Sequence, residues 1–207
     1  MAHEFESYDD VSDAVFYTLK LEGQDFIVMD FPSAGRTWGY SETSGFWFQL
    51  SSGTSGGHHV ATSYVYCYGK HLIGVQGNVY EWDLMTFDDL GSAQVKERIL
   101  APIDGALLGA PGKRLMMNRF ELIMQVGVGT ATGQGSNPVV MFSLSPDGGE
   151  TWGAEYQVSI GTGGRYQTRV EWYHIESFYS GVIKIRFSDP VFIGMFSAAI
   201  DIDVAGY

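Results

Sequence analysis

The chain has 207 residues, which is enough for one or two domains with a buried core. Hydrophobic residues make up 45% and charged residues 17%, so the composition is that of a globular protein rather than a disordered one. Most of the net charge of -12 lies before Lys96, where 13 acidic residues face 3 basic ones, and this argues against nucleic-acid binding through a basic patch.

The single Cys67 excludes an intrachain disulfide, and its place between two tyrosines in a predicted strand suggests a core position. The charged start of the chain is unlike a secretory signal peptide. Every apolar stretch is too short to span a bilayer. We therefore expect a protein without a membrane partner, made in a reducing compartment.

The first half of the chain is predicted to form successive antiparallel hairpins, and helical periodicity is weak. Hairpins at this spacing are typical of sandwiches, barrels and propellers. In chain order, the predicted elements are a weak helix at residues 9–17, strands 16–21 and 25–30 joined by a four-residue loop, strands 37–40 and 46–50, a long strand at 58–68 ended by Gly69, and strands 71–75 and 78–83.

A propeller blade takes about 40–50 residues and a closed ring takes about 4–8 blades. Residues 1–95 hold about two such blades, so this part is predicted to be either a truncated propeller or a segment that packs differently. Turn residues between positions 86 and 115 and a change in charge balance mark a boundary. We predict an all-β chain with two domains: residues 1–95, a propeller-like hairpin module, and residues 96–207, a β-sandwich. The strands predicted in the second domain are 118–128, 139–144, 155–159, 168–175, 181–187 and 198–204.

One turn motif stands out in the second half. Ser145-Pro-Asp-Gly-Gly-Glu-Thr-Trp152 fits the pattern S-x-D-x-G-x-T-W, the Asp box of sialidase-type propellers. Asp147 is expected to accept backbone N–H groups across the turn, and Gly149 to permit a positive φ. Thr151 favours a strand, and Trp152 is expected to pack on the hairpin.

A degenerate copy of this motif spans residues 31–38, where Ser33 replaces the aspartate. We interpret both copies as devices that fold turns and carry no chemistry. The predicted structural-turn residues are Ser145, Asp147, Gly149, Thr151, Trp152, Gly35, Thr37 and Trp38.

Some sequence patterns could indicate a catalytic or metal-binding site, but the residues around them argue against it. Gly53-Thr-Ser-Gly-Gly57 matches G-x-S-x-G, but a predicted strand follows where a nucleophile elbow needs a helix. His58 and His59 are adjacent, so on a strand they would face opposite sides and could not share a metal. The acidic pairs at 9–10 and 88–89 are interpreted as solvated loop residues. We predict no catalytic residue, no cofactor and no metal ligand.

The second half of the chain contains a series of short motifs whose order and spacing resemble those of a known family. They lie at residues 96–99, 113–122, 124–127, 134–138, 145–152, 164–169 and 188–190. This half resembles the C-terminal half of the packaged-DNA stabilisation proteins of short-tailed phages, also called tail accessory or head-completion proteins. Asp30-Phe-Pro32, Gly35-Arg-Thr-Trp38 and Tyr80-Glu-Trp-Asp83 extend the resemblance to the first half.

The resemblance implies a structural virion protein without catalytic residues. Several copies would join the tail below the portal, close the channel after packaging and stabilise the packaged DNA. The implied partners are the portal, other tail proteins and further copies in a homo-oligomeric ring, without sequence-specific nucleic-acid binding. The implied location is the virion tail, after synthesis in the bacterial host cytoplasm. Family members extend further at the N-terminus, so we expect a fragment with an incomplete propeller.

Two other function classes remain open. The Asp box and the 14% aromatic content suggest a carbohydrate-binding or sialidase-like β module. Propeller sialidases use several Asp boxes and converging arginines, whereas Arg36 is the single arginine before residue 96. A generic β-rich adhesion or receptor-binding module is the third possibility.

Overall fold

The computed structural model describes residues 2–54 and 56–205. The chain divides into two compact units, Met1–Gln94 and Val95–Tyr207. Strands form nearly all of the regular structure, which confirms the predicted all-β class. No helix within the described residues has the length and apolar character needed to cross a membrane.

The first unit contains three separate antiparallel sheets, with strand orders β1-β2-β3-β4, β5-β6-β7 and β8-β9. Strands that are consecutive in the chain are neighbours in each sheet, and within residues 2–54 and 56–94 the sheets do not close into a ring. The elements are α1 (Ala2–Glu6), β1 (Val15–Leu21), β2 (Gln24–Phe31), β3 (Arg36–Ser41), β4 (Trp47–Leu50), β5 (Ser63–Cys67), β6 (Lys70–Val75), β7 (Asn78–Glu81), β8 (Asp88–Asp89) and β9 (Ser92–Ala93).

The first hairpin has a tighter turn than its sequence predicts. β1 and β2 stay paired up to Leu21 and Gln24, so the loop has two residues and not four. Glu22 and Gly23 have φ values of 49° and 80°. Two successive positive φ values match the right-handed twist of the paired strands, which allows pairing to continue to the end of the hairpin.

The predicted helix at residues 9–17 is wrong. Residues 9–14 form no helix, and Val15 begins β1. The Asp10 carboxylate accepts a hydrogen bond from the Ser12 N–H at 2.8 Å. A short polar side chain that binds a nearby backbone N–H competes with helix formation.

The predicted strand at residues 58–68 is too long, because only Ser63–Cys67 pair in a ladder. The backbone N–H groups just before Ser63 donate hydrogen bonds to side chains and not to a neighbouring strand. His59 N–H donates to Thr37 Oγ1, Val60 N–H to Ser52 Oγ, and Ala61 N–H to His59 Nδ1. Cys67, at the end of this strand, is half-buried rather than in the core.

The second unit contains two antiparallel sheets. One has the order β10-β17-β13-β14, with β11 also on β17. The other has the order β15-β12-β16, with β18 also on β12. The elements are β10 (Lys96–Ile99), β11 (Ile103–Asp104), a 3-10 helix (Gly105–Leu108), β12 (Leu115–Met124), β13 (Val139–Ser145), β14 (Tyr156–Ser159), β15 (Val170–Tyr173), β16 (Ser177–Phe178), β17 (Ser180–Phe187) and β18 (Met195–Val204).

The core of the second unit lies between these two sheets. Phe120 of β12, Phe142 of β13 and Trp172 of β15 pack with ring centroids 5.3 to 5.7 Å apart. Leu122 and Met124 are buried on the same face of β12, and Val126 packs against the cluster. Full burial of one large apolar side chain contributes roughly 1.5–3 kcal/mol. The alternation of apolar residues along the strands therefore sets which face of each sheet meets the core.

Candidate functional site

The Asp-box turn begins where β13 ends, and its side chains form a closed set of hydrogen bonds. Ser145 Oγ donates to Asp147 Oδ1 at 2.7 Å and accepts from the Gly149 N–H at 2.8 Å. The Thr151 N–H donates to Asp147 Oδ1 at 2.9 Å, and the Thr151 hydroxyl donates to Asp147 Oδ2. Gly149 has a φ of 108°, a conformation that side chains rarely adopt.

The hydrogen bonds to the ionised carboxylate lower the pKa of Asp147 far below its ordinary value. The two from Thr151 contribute most, followed by the one from Ser145. Thr151 lies in the turn, not in a strand as its residue type suggests, because its N–H is bound by Asp147. Trp152 is half-buried, and Lys184 Nζ of β17 lies 4.1 Å from its ring centroid. The indole thus packs against the neighbouring strand.

The degenerate copy forms the turn between β2 and β3. Gly35 has a φ of 62°, and its N–H donates to the Pro32 carbonyl at 3.0 Å. Thr37 is fully buried, and Trp38 Nε1–H donates to the Tyr8 hydroxyl at 2.8 Å. The residues from this copy therefore lie within one hairpin of the first unit, and those of the intact Asp box lie within the second unit.

A distant residue binds Ser33, which stands at the aspartate position of the degenerate copy. Asp13 Oδ2 accepts hydrogen bonds from the Ser33 N–H and the Ser33 hydroxyl, each at 2.8 Å. Sequence reasoning missed Asp13 because it lies 20 residues before the turn and belongs to no local pattern.

The buried Asp30 of β2 lies beside the buried Thr37 and the exposed His58. The Thr37 hydroxyl donates to Asp30 Oδ1 at 2.6 Å, and His58 Nδ1 lies 3.6 Å from the same oxygen. The exposed fraction of Asp30 is 0%, and its Oδ2 has no hydrogen-bond partner among the described residues. Burial, and secondarily the charge of Asp30, raises the pKa of Tyr17. His58 and His59 do not lie on a strand, so the expectation that they face opposite sides of one is wrong.

An ion-pair network joins two side chains of β12 to Glu171 of β15 and to Arg169, which directly precedes β15. Arg119 Nη1 lies 3.0 Å from Glu121 and 2.9 Å from Glu171. Arg169 Nη2 bridges the same two carboxylates at 2.9 and 2.8 Å. Two cations and two anions alternate, so their four charges cancel within the network. Sequence gave no signal for it, since Glu121 and Glu171 meet only through the β12–β15 pairing.

No candidate reactive centre emerges from the described residues. In the G-x-S-x-G segment, Ser55 lies outside them. No group of three or more His, Cys, Asp or Glu side chains among the described residues is placed to hold a metal ion. Asp88 and Asp89 are half-buried and form β8, so their interpretation as solvated loop residues is wrong.

Two family models match the chain. A model described as the β-propeller of bacteriophage P22 Gp10 matches residues 3–86, and a model described as the β-sandwich of the same protein matches residues 102–203. Together they confirm the predicted propeller-like and sandwich character and its order along the chain. No curated protein matches the chain.

Proposed function

The chain belongs to the phage P22 Gp10 family of packaged-DNA stabilisation proteins, and from this we propose that it assembles below the portal, closes the channel and stabilises packaged DNA. This family consists of phage structural proteins and is not known for an enzymatic activity. The partners in this proposal are the portal, other tail proteins and further copies of the chain in a ring.

The order of the two family matches is the observation that carries the proposal. A single propeller or sandwich match would indicate a fold and little else, because both folds serve many functions. Here the two modules of one structural protein follow each other over residues 3–86 and 102–203. This combination favours the family's function over the carbohydrate-binding alternative.

The construction of the second unit supports a mechanical role. Its core contains fully buried aromatic residues from both sheets, including Phe120, Phe142 and Phe187. Protein cores are close-packed and have low compressibility. Such a sandwich suits a component that must withstand the pressure of packed DNA.

The negative charge of the first unit supports the idea that DNA can move past its surface without binding to it. Before Lys96 the chain has 13 acidic and 3 basic residues. A surface of this sign repels phosphate groups, so it disfavours adhesion of the DNA backbone. We propose that part of the first unit faces the channel.

Retention of DNA by phage particles tests the proposed function. Particles assembled without this protein are purified after packaging and incubated with the purified chain, and nuclease-protected DNA is then measured by quantitative PCR. We expect particles without the chain to lose DNA and particles with it to retain DNA. An unrelated acidic β-protein at the same concentration is the control. Equal retention with and without the chain would contradict the proposal.

A further inference from the structure

The last strand of the second unit, β18, is more exposed than its neighbour β12. Eight of its ten side chains are exposed and the other two are half-buried, whereas five of the ten side chains of β12 are buried. Among the described residues β18 pairs with β12 and with no other strand, so it is an edge of its sheet. Alternate N–H and C=O groups of an edge strand point away from the sheet without a backbone partner. We call these groups, in residues 197–204, the open edge.

The open edge lacks the features that usually prevent an edge strand from pairing with another chain. Such strands are often very short, or they carry lysine, proline or a bulge. Residues 197–204 contain neither lysine nor proline. The residue of β18 that falls out of register with β12 is Phe196, just before this stretch. The open edge is therefore an uninterrupted run that can accept a further strand.

One face of β18 continues the hydrophobic core but is only partly covered. Directly opposite residues of an antiparallel pair share a face. Ile200 and Val204 lie opposite Phe120 and Leu115, which are fully buried, and Ile202 between them packs against the core. The exposed fractions of Ile200 and Val204 are nevertheless 38% and 40%. A strand added at the open edge could cover this margin with apolar side chains on the same face.

The other face of β18 is acidic. Asp201 and Asp203 alternate with the apolar residues and are exposed. Asp203 accepts a hydrogen bond from the neutral Asn118 amide at 2.9 Å, which leaves its charge uncompensated. Arg119 lies opposite Asp201 in the register, but its guanidinium pairs with two glutamates instead. Lysine or arginine on this face of an added strand would therefore form favourable cross-strand charge pairs.

We propose that the open edge binds an extended segment of a partner protein in which apolar residues alternate with lysine or arginine. The segment extends the sheet through backbone hydrogen bonds, covers Ile200 and Val204, and brings its cations to Asp201 and Asp203. A second copy of β18 is a poorer occupant, because matched apolar faces would bring four carboxylates together on the opposite face. The identity of the partner as a virion protein rests on the proposed function, whereas pairing at the open edge does not.

Titration of a labelled peptide with the whole chain tests the site. The probe is a fluorescein-labelled peptide in which valine and lysine alternate over eight residues, and its anisotropy reports binding. We expect saturable binding at low salt that weakens as ionic strength rises. Hydrogen–deuterium exchange with mass spectrometry locates the site, because the bound peptide should slow amide exchange in residues 195–204.

Peptides with blocked backbone N–H groups test whether the probe binds as a strand. Two versions carry an N-methyl group on every valine or on every lysine and keep the side chains and charge. Successive N–H groups of a strand point to opposite edges, so a strand added to β18 uses one of the two sets. One N-methylated peptide should therefore lose binding, whereas the other should retain it.

Reversal of one charge tests the acidic face. Asp201→Lys should weaken binding of the valine–lysine peptide about fivefold and strengthen binding of the corresponding valine–glutamate peptide by a similar factor. Asp9→Lys makes the same charge change at an exposed position of the first unit and should alter neither affinity. A gain of affinity for the glutamate peptide requires a folded edge, so it also shows that Asp201→Lys folds.

Absence of saturable binding of the valine–lysine peptide would overturn the proposal, and so would unchanged binding of both N-methylated peptides. Unchanged affinity for Asp201→Lys would overturn the choice of a basic partner. Exchange in residues 195–204 that slows with rising protein concentration, without peptide, would show that a second copy is the occupant. The DNA-retention assay responds separately, because loss of DNA without the chain, together with no peptide binding, would leave the proposed function standing without this site.

Discussion

Asp147 shows at the scale of single residues how side chains close the turns between strands. Its carboxylate accepts hydrogen bonds from Ser145 and Thr151 and orders the segment between β13 and β14. In the degenerate copy, Asp13 accepts hydrogen bonds from Ser33, the residue that replaces the aspartate. The intact motif is readable from sequence because its partners are four residues apart or fewer. The Asp13–Ser33 contact depends on folding of the first unit and leaves no local pattern.

Asp147→Ala tests our proposal that the Asp box is a structural device. The variant removes the acceptor of three hydrogen bonds and leaves the Thr151 and Ser145 donors without it. We expect the melting temperature, measured by circular dichroism, to fall by a few degrees. Glu150→Ala in the same turn is the matched control, because Glu150 is exposed, and it should leave the melting temperature unchanged. Equal melting temperatures for Asp147→Ala and the unaltered chain would show that the turn does not depend on this carboxylate.

The lowered pKa of Asp147 predicts a defined pH dependence. Its hydrogen bonds favour the ionised form in the folded state, so their stabilisation is fully present above the unfolded-state pKa of about 3.9 and disappears as the pH falls towards the folded-state value. The difference in free energy of unfolding between the unaltered chain and Asp147→Asn should be constant from about pH 7 to about pH 5 and shrink below about pH 4. Urea titrations across this range measure it. A difference that grows on acidification would contradict the assigned direction.

At the scale of elements, hairpins could be predicted where two runs of alternating apolar and polar residues are separated by turn-forming residues. The pairs β1–β2, β3–β4 and β6–β7 follow from such patterns. The five-residue helix α1 is too short to show a helical period. The predicted strand at residues 58–68 included residues 58–62, but Thr37, Ser52 and His59 accept hydrogen bonds from three of their N–H groups. The pattern of apolar residues along the chain does not show where side chains, rather than a neighbouring strand, accept hydrogen bonds from the backbone.

Close packing between strand and ring makes Gly181 of β17 intolerant of a larger residue. A Cβ atom at this position would lie 2.6 Å from Cδ2 of the buried Phe178. Gly181→Ala should lower the free energy of unfolding by about 1–3 kcal/mol, the usual cost of overpacking. Urea denaturation measures the change.

A double-mutant cycle with Phe178→Leu identifies the cause. If the ring clash produces the cost, Gly181→Ala should be markedly less destabilising in the Phe178→Leu background. Equal costs in both backgrounds would place the effect in the backbone of β17 instead.

At the scale of the whole molecule, each unit contains its own sheets. The main hydrophobic cluster of the second unit draws on residues from Leu115 to Val191, with Leu100 and Ile103 packed against it. A self-contained core is the physical basis of an independent domain. We propose that the predicted boundary at residues 95 and 96 separates two such domains.

Expression of residues 96–207 alone tests this division. We expect the fragment to show near-ultraviolet circular dichroism and one cooperative thermal transition, because the described residues of its hydrophobic cluster lie between Leu100 and Ile202. Gly181→Ala in the fragment should lower its melting temperature as it does in the full chain. A fragment without fixed tertiary structure would show that the second unit depends on the first.

The family's function, applied to this chain, depends on where the chain lies in the particle. Cryo-electron microscopy of DNA-filled particles tests this most directly. We predict density for several copies of the chain in a ring directly below the portal, with the sheets of both units recognisable and DNA ending above the closure. Density for the chain at a peripheral, receptor-facing position, with the channel closed by other proteins, would contradict the account.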